Sequence, residues 1–213
     1  MQYAVLGWPD DGPQLRLDHR EFSYAGKFVM SNTGKAVARE PVGERSPGDD
    51  EGRTGGNAEA TEELPGTDAP DREWVEDDRI VGAVAFNEDR TDSTAAWLRY
   101  VTVRRDRRGA GVGARLCRFA TARLRERGYD RVRIAVNNPF AYHALYKAGF
   151  GYTGEETGLA ELVLASPGDR SAERYRTGLD AYRERDDLAP AERDFLAAKA
   201  DAEPPDVVAV PEA

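Results

Sequence analysis

One stretch constrains the fold of this chain more than any other: YVTVRRDRRGAGVGARLCRFATARL, from Tyr100 to Leu124. Val112, Leu116, Phe119, Ala120 and Leu124 recur at spacings of three and four, which predicts an amphipathic helix. Arg115, Arg118 and Arg125 take its other face, and Gly128 stands where a left-handed C-terminal cap is expected. Ahead of the helix, Trp97, Leu98, Val101, Thr102 and Val103 form an aromatic and β-branched run that predicts a buried strand. Between the two, Gly109, Gly111 and Gly113 let the backbone come close to a ligand. The first turn of a helix also offers unpaired N–H groups. Such a bend suits a phosphate or a pyrophosphate. The plainer reading is a tight strand-to-helix turn whose glycines only relieve crowding.

Charge bears on that choice. The net charge is −9, from 30 Lys and Arg against 39 Asp and Glu. It is unevenly spread: Arg99–Arg133 holds 12 arginines and 3 acids, whereas Glu44–Asp78 holds 13 acids and 3 arginines. A basic feature within an acidic protein points to a bound anion and away from nucleic acid, because the acidic segments would repel a polyanion. Arginine supplies all but four of the cations. With the acid excess, this pattern is that of a salt-adapted protein, and adaptation alone accounts for the overall charge. Cys117 is the only cysteine, so neither a disulfide nor a cysteine zinc site is expected within one chain, and a small buried hydrophobe is its reading. No metal is expected. No secretory leader or membrane span is visible, which makes the cytoplasm the expected location and no membrane partner the expectation.

The 213 residues can bury a full core and suggest one domain with appendages. Residues 1–40 read as β-rich, with a strand over Tyr3–Leu6 and a hairpin over Phe28–Ala38 that turns at Ser31–Gly34. Residues 41–71 are Gly, Pro, Ser, Thr and acids, too poor in apolar groups to order themselves, and read as a disordered acidic insertion. Order resumes over 72–166 with Glu73–Val75, a turn, and the apolar strand Arg79–Phe86, which reads as central and buried on both faces. The order is then β-β-β-α-β-α-β-β, with the second helix over Pro139–Lys147 broken by Gly149. In 167–202, Tyr175, Leu179 and Tyr182 share one helical face and a second short helix begins near Pro190. These helices would pack on the body or on a partner chain, which leaves a homodimer open. The tail, 203–213, reads as flexible.

These residues resemble the GNAT (Gcn5-related) N-acetyltransferase family. Its cofactor motif, Arg/Gln-x-x-Gly-x-Gly/Ala, lies five residues after a strand valine. Arg108-Gly109-Ala110-Gly111-Val112-Gly113 fits it, with Val103 as the valine and Arg105 in place of the usual proline. Asn138 and Gly149-Phe150 stand where the family has Asn and Gly-Phe. The resemblance covers about 72–165 and implies an α/β (α+β) fold with a mixed, mostly antiparallel central sheet flanked by helices. It also implies that acetyl-CoA is the co-substrate, its pyrophosphate cradled by the amides of Gly109, Ala110, Gly111, Val112, Gly113 and Ala114. Arg108 and Asn138 would assist. The main chain at Val101 and Val103 would pair with the pantetheine arm where two central strands splay apart. Arg104, Arg105, Arg107 and Arg108 are candidates for the 3′-phosphate.

The implied reaction is attack of a primary amine, on a small molecule or peptide, upon the thioester carbonyl in a ternary complex. Positioning would supply much of the rate, and two proton transfers would remain. The family's usual acid is a tyrosine four residues before the glycine. Here Leu145 holds that offset, so Tyr146 is the candidate acid and Tyr142, one turn earlier, the second choice; core packing is the competing role for both. No base stands out on the central strands. Glu155, Glu156 and Glu161 are candidates, and His19 and His143 read as isolated. The helical pair that shapes the family's acceptor pocket is not visible before residue 41.

Two other readings compete. A dinucleotide-binding unit would also use Gly109-Ala110-Gly111-Val112-Gly113-Ala114, but it wants an acid at the end of the next strand, where Val136-Asn137 stand. A non-catalytic acyl-CoA sensor on the same fold would need the cofactor site and no acid or base.

Overall fold

The computed structural model describes residues 1–41 and 74–213. The acidic segment read as a disordered insertion lies outside them, apart from Pro41. In chain order the strands begin with β1 (Gln2–Gly7), β2 (Gln14–Leu15), β3 (Gly34–Arg39), β4 (Trp74–Val75), β5 (Ile80–Glu88) and β6 (Ala95–Val103). Helix α1 (Val112–Glu126), β7 (Arg131–Val136), α2 (Pro139–Lys147), β8 (Gly151–Glu156), β9 (Leu162–Ser166), α3 (Ala172–Arg183) and α4 (Pro190–Ala197) follow.

Seven strands form one mixed α/β sheet in the order β1-β3-β5-β6-β7-β9-β8. Every neighbouring pair is antiparallel except β6 and β7, which run parallel because α1 returns the chain to the starting edge. The apolar run of β5 sits in the sheet centre with Ile80–Phe86 all buried, as a strand covered on both faces must be. One face carries α1, α2 and α3 over Val84, Leu98, Ile134 and Leu164. The other carries Leu15, Phe22, Ala25 and Phe28 over Val37, Ile80, Ala83 and Ala85.

The N-terminal region differs from the sequence reading. Phe28–Met30 is not a strand, and β3 pairs with β1, from Gln2 opposite Arg39 to Gly7 opposite Lys35. Phe28 is fully buried beneath the sheet, and its carbonyl accepts the Leu15 N–H at 3.1 Å. The apolar triplet anchors a loop over one sheet face rather than extending it. Trp74–Val75 does not form a hairpin with β5 either; it pairs in parallel with Gln14–Leu15.

At the other end, α3 begins on Ser171, whose hydroxyl accepts the Arg174 N–H at 3.2 Å, the usual N-cap bond. Tyr175, Leu179 and Tyr182 are all fully buried, so their shared face packs on the body of this chain. The tail read as flexible is tied to α2: the Val208 N–H donates to the Lys147 carbonyl at 2.8 Å, and Arg170 Nη2 donates to the Pro205 carbonyl at 2.7 Å.

Candidate cofactor and active site

Gly109 and Gly111 adopt φ of 79° and 76°, the left-handed region that costs an L-residue about 1–2 kcal/mol. These two residues turn the chain from β6 into α1, with Gly111 as the N-cap and no side chain capping it. Among the described residues no acceptor takes the amides of Gly109, Ala110, Gly111, Val112, Gly113 or Ala114. A Cβ on Gly109 would meet nothing within 4 Å, so the bend is open where those amides emerge. At Gly109 backbone conformation and access, not crowding, account for the glycine, whereas a Cβ on Gly111 would also stand 3.0 Å from Arg115 Nη1. The free amides and the positive end of α1 suit an anion with several acceptor oxygens.

Beside the bend the sheet comes apart. The β6–β7 ladder runs from Ala95 opposite Arg131 to Leu98 opposite Ile134 and stops there, although β6 continues to Val103. The phase of the β5–β6 ladder sets which groups face the opening. Arg104 N–H donates to the Val81 carbonyl at 2.9 Å, and Val103 stands opposite Gly82. Arg104 and Thr102 therefore direct their main-chain groups toward β5, and by alternation Val101 and Val103 direct theirs into the gap. The Val103 carbonyl takes Arg108 Nε at 3.2 Å. An extended polar arm could pair there as a further strand.

The arginines of the connecting loop are not equivalent. Arg104 pairs with Asp106 and Glu40, and Arg107 with the same two carboxylates. Arg108 spans from the Val103 carbonyl to Ser23 Oγ at 2.8 Å, and among the described residues Arg105 has no carboxylate within ion-pair distance. Arg105 and Arg108 thus keep the freer charge beside the bend. Asn138 is the N-cap of α2: its Oδ1 accepts the Ala141 N–H at 2.9 Å, and its Nδ2 donates to Asn137 Oδ1 at 3.3 Å.

Tyr146 is fully buried, and its hydroxyl accepts the Tyr152 N–H at 3.0 Å. Tyr152 belongs to β8 and stands opposite Leu164, which stands opposite Ile134. Two strand spacings, about 10 Å, therefore separate that amide from the start of the gap. Tyr142 is equally buried, with its hydroxyl 3.3 Å from that of Tyr146 and 3.1 Å from the Tyr175 carbonyl. Burial pushes both phenols above their ordinary range, so both stay protonated. Tyr182, read only as a core residue, donates to the Val136 carbonyl at 2.9 Å and closes the end of β7. Cys117 is buried in α1, where desolvation lifts its thiol to about 12 and leaves it unreactive. Of the three candidate bases, Glu155 pairs with Arg133 on β7, and Glu161 is engaged with Thr157 Oγ1 at 3.2 Å.

His143 is not isolated: its Nδ1 lies 2.7 Å from the Tyr175 hydroxyl. Burial, then Lys147 and Lys199, depress its pKa to about 4, while burial lifts Tyr175 to about 12. The phenol therefore donates to a neutral imidazole. Between about pH 6.5 and pH 4 the unfolded chain binds a proton at His143 that the folded chain refuses. Stability from this group is complete above pH 6.5 and falls with pH through that window, by at most about 1.4 kcal/mol per pH unit. His143→Asn keeps an acceptor and removes the titration. Denaturant midpoints at pH 7.5 and 4.5 should fall less in the variant than in the parent; equal falls would mean that His143 does not set the acid sensitivity.

Among the described residues no cluster of His, Cys, Asp or Glu could hold a metal ion, and no helix is long and apolar enough to cross a membrane.

A bend whose amides have no acceptor among the described residues, next to a parted strand pair, suits an extended ligand with a phosphorylated end. Residues 48–152 match the acetyltransferase (GNAT) family, so the chain carries a GNAT acetyltransferase domain. Solved structures to which it is similar include nourseothricin acetyltransferase, at 27% identity over 40% of this chain and 56% of that one, with a TM-score of 0.36. The PaiA N-acetyltransferase of Thermoplasma acidophilum, in complex with coenzyme A, is 18% identical over 43% and 55%, with a TM-score of 0.36. An aminoglycoside 6′-acetyltransferase type Ii is 13% identical over 66% and 72%, with a TM-score of 0.40. The chain spans just over half the length of the first two. No curated protein matches it.

Proposed function

We propose that the protein transfers an acetyl group from acetyl-CoA to a primary amine by direct attack in a ternary complex. The observation that carries this reading is the junction of two features. Among the described residues six adjacent amides, Gly109–Ala114, lack acceptors, and beside them Val101 and Val103 turn their main-chain groups into a gap where the β6–β7 ladder has ended. The pyrophosphate would sit on the amides, the 3′-phosphate near Arg105 and Arg108, and the pantetheine arm along Val101 and Val103. The thioester would then lie at the parting of the strands, with the amine delivered in line. A second copy of the chain, nucleic acid, a membrane or a metal has no part in this reading, and the cytoplasm is its setting.

Proton transfer is assigned less directly. The Asn138 side chain is committed to capping α2, so its contribution to the cofactor is to hold the start of that helix beside β7. The Tyr146 hydroxyl is held by β8, two strands from β7, and this geometry favours a structural role over that of acid. A thiol with a pKa of about 8.5 can leave with a proton from water. Tyr146→Phe should keep kcat within about threefold and cost about 1–3 kcal/mol of stability for the orphaned Tyr152 N–H. A fall in kcat of about 100-fold or more with KM for acetyl-CoA unchanged would restore Tyr146 as the acid.

The reading is tested by titration calorimetry with acetyl-CoA, followed by a thiol-release assay over free amino acids, polyamines, aminoglycosides and peptides. Binding with amine-dependent release supports it. No binding would end it, and binding with no release from any amine would leave a sensor.

A further inference from the structure

Where β6 and β7 part, β6 also carries a bulge. Ala85 stands opposite Tyr100 and Phe86 opposite Leu98, so Arg99 has no partner on β5. A bulge turns two successive side chains to the same face. Here it sends Arg99 to the sheet face away from α1, the face of Trp97 and of Arg133, which stands opposite Trp97 on β7. The guanidinium carbons of Arg99 and Arg133 lie 5.1 and 4.9 Å from the Trp97 ring centroid. Two cations thus lie over one indole at the mouth of the gap.

Two acids, Asp89 and Glu155, balance the charge of this pair but take no hydrogen bond from Arg99. Asp89 is consumed by the Thr91 N–H and hydroxyl, at 2.8 and 2.7 Å, and by the Trp97 indole N–H. Those bonds, the Thr91 amide first, hold its carboxyl well below the usual range, so it is a fixed acceptor. Glu155 pairs with Arg133 through Nη2 and leaves Arg133 Nε buried without an acceptor. Arg99 gives its Nε to the neutral Asn87 Oδ1 at 2.6 Å, and among the described residues its two terminal nitrogens have no acceptor. The exposed Arg99 fork is therefore positioned over Trp97 by its Nε bond to Asn87, and among the described residues its two terminal nitrogens are left for a carboxylate or phosphate to take with two bonds.

We propose that the acceptor is a small amine carrying a carboxylate or phosphate near its amino group, and that Arg99, with Arg133 behind it, binds that anion at the mouth of the β6–β7 gap. This rests on the reading above, in which the thioester lies in that gap. An amine with no anionic group would leave the terminal nitrogens of Arg99 without an acceptor.

The test is a thiol-release assay with matched acceptors: amino acids against their carboxamides, and ethanolamine phosphate against ethanolamine. The anionic member of at least one pair should have a kcat/KM at least about tenfold higher, and which pair responds tells carboxylate from phosphate. Arg99→Gln should raise KM for that acceptor about tenfold or more and leave KM for acetyl-CoA unchanged. Equal or better use of the neutral and polycationic amines would overturn the inference while leaving the acetyltransferase reading intact. If no amine is turned over, calorimetry on the CoA-saturated protein decides: binding of the anionic amines that Arg99→Gln abolishes supports the proposal, and its absence overturns it. Failure to bind acetyl-CoA at all would instead remove the reading of the cofactor site.

Discussion

Gly111→Glu should reduce acetyl-CoA affinity by about 100-fold or more while leaving the protein folded. Three effects act together. The residue adopts φ of 76°, so any side chain there adds about 1–2 kcal/mol of strain. A Cβ would lie 3.0 Å from Arg115 Nη1, disturbing the bond from Arg115 Nη2 to the Ala110 carbonyl at 2.9 Å that braces the bend. The carboxylate would also face the pyrophosphate, and two like charges about 5 Å apart repel by about 3 kcal/mol at an effective dielectric of 20. Each 1.4 kcal/mol is a factor of ten. Gly111→Ala separates these effects: it keeps the strain without the charge and should weaken binding by only about tenfold. Calorimetry reads both variants. Full affinity in Gly111→Glu would mean that the bend is a structural turn and nothing more.

Tyr142→Ala should destabilise the fold by about 3–5 kcal/mol, more than the loss of any single hydrogen bond or cap. Its ring lies 5.0, 5.8 and 5.7 Å from those of Tyr146, Tyr175 and Tyr182. It joins α2 to α3, and so joins the acetyltransferase domain to the helices that follow it. Gly178 shows how close the fit is: a Cβ there would stand 2.1 Å from the Tyr142 hydroxyl oxygen. Truncation would leave a cavity among rigid rings. For a chain of this size the melting temperature should fall on the order of 10 °C. Tyr142→Phe, which keeps the ring, should lose about 1 kcal/mol. A Tyr142→Ala protein that melts within about 2 °C of the parent, a margin of about 1 kcal/mol, would show that α3 docks independently of this cluster.

The part of the fold that holds the candidate cofactor site was legible in the sequence because its signals are local. A 3.6-residue period, left-handed glycines and a β-branched strand each act over a few residues, and together they placed β6, the bend and α1. The apolar run of β5 was legible for the same reason. The N-terminal third was not, since Phe28–Met30 has the composition of a strand, and only the tertiary fold shows Phe28 anchoring a loop over the sheet. The face formed by Tyr175, Leu179 and Tyr182 was legible, but its partner, Tyr142 on α2, was not, because helical periodicity says nothing about what a face packs against. Arg99 carried no signal at all. Among the twelve arginines between Arg99 and Arg133, only the bulge opposite Ala85 and Phe86 sets it apart. Tyr146 shows the limit of motif spacing: a shift of one residue turns a helical side chain by about 100°, here toward Tyr152 and β8.

The acetyltransferase reading requires the ligand to lie on the amides of the bend and along the parted strand. Backbone amide NMR during a titration with acetyl-CoA addresses this residue by residue. The largest shifts should fall on Gly109–Ala114 and on Val101 and Val103, with slowed hydrogen exchange at the same positions and little change at Tyr152 or in α3. Saturable binding whose largest shifts lie away from the bend and the end of β6, or a spectrum that acetyl-CoA does not change, would contradict it.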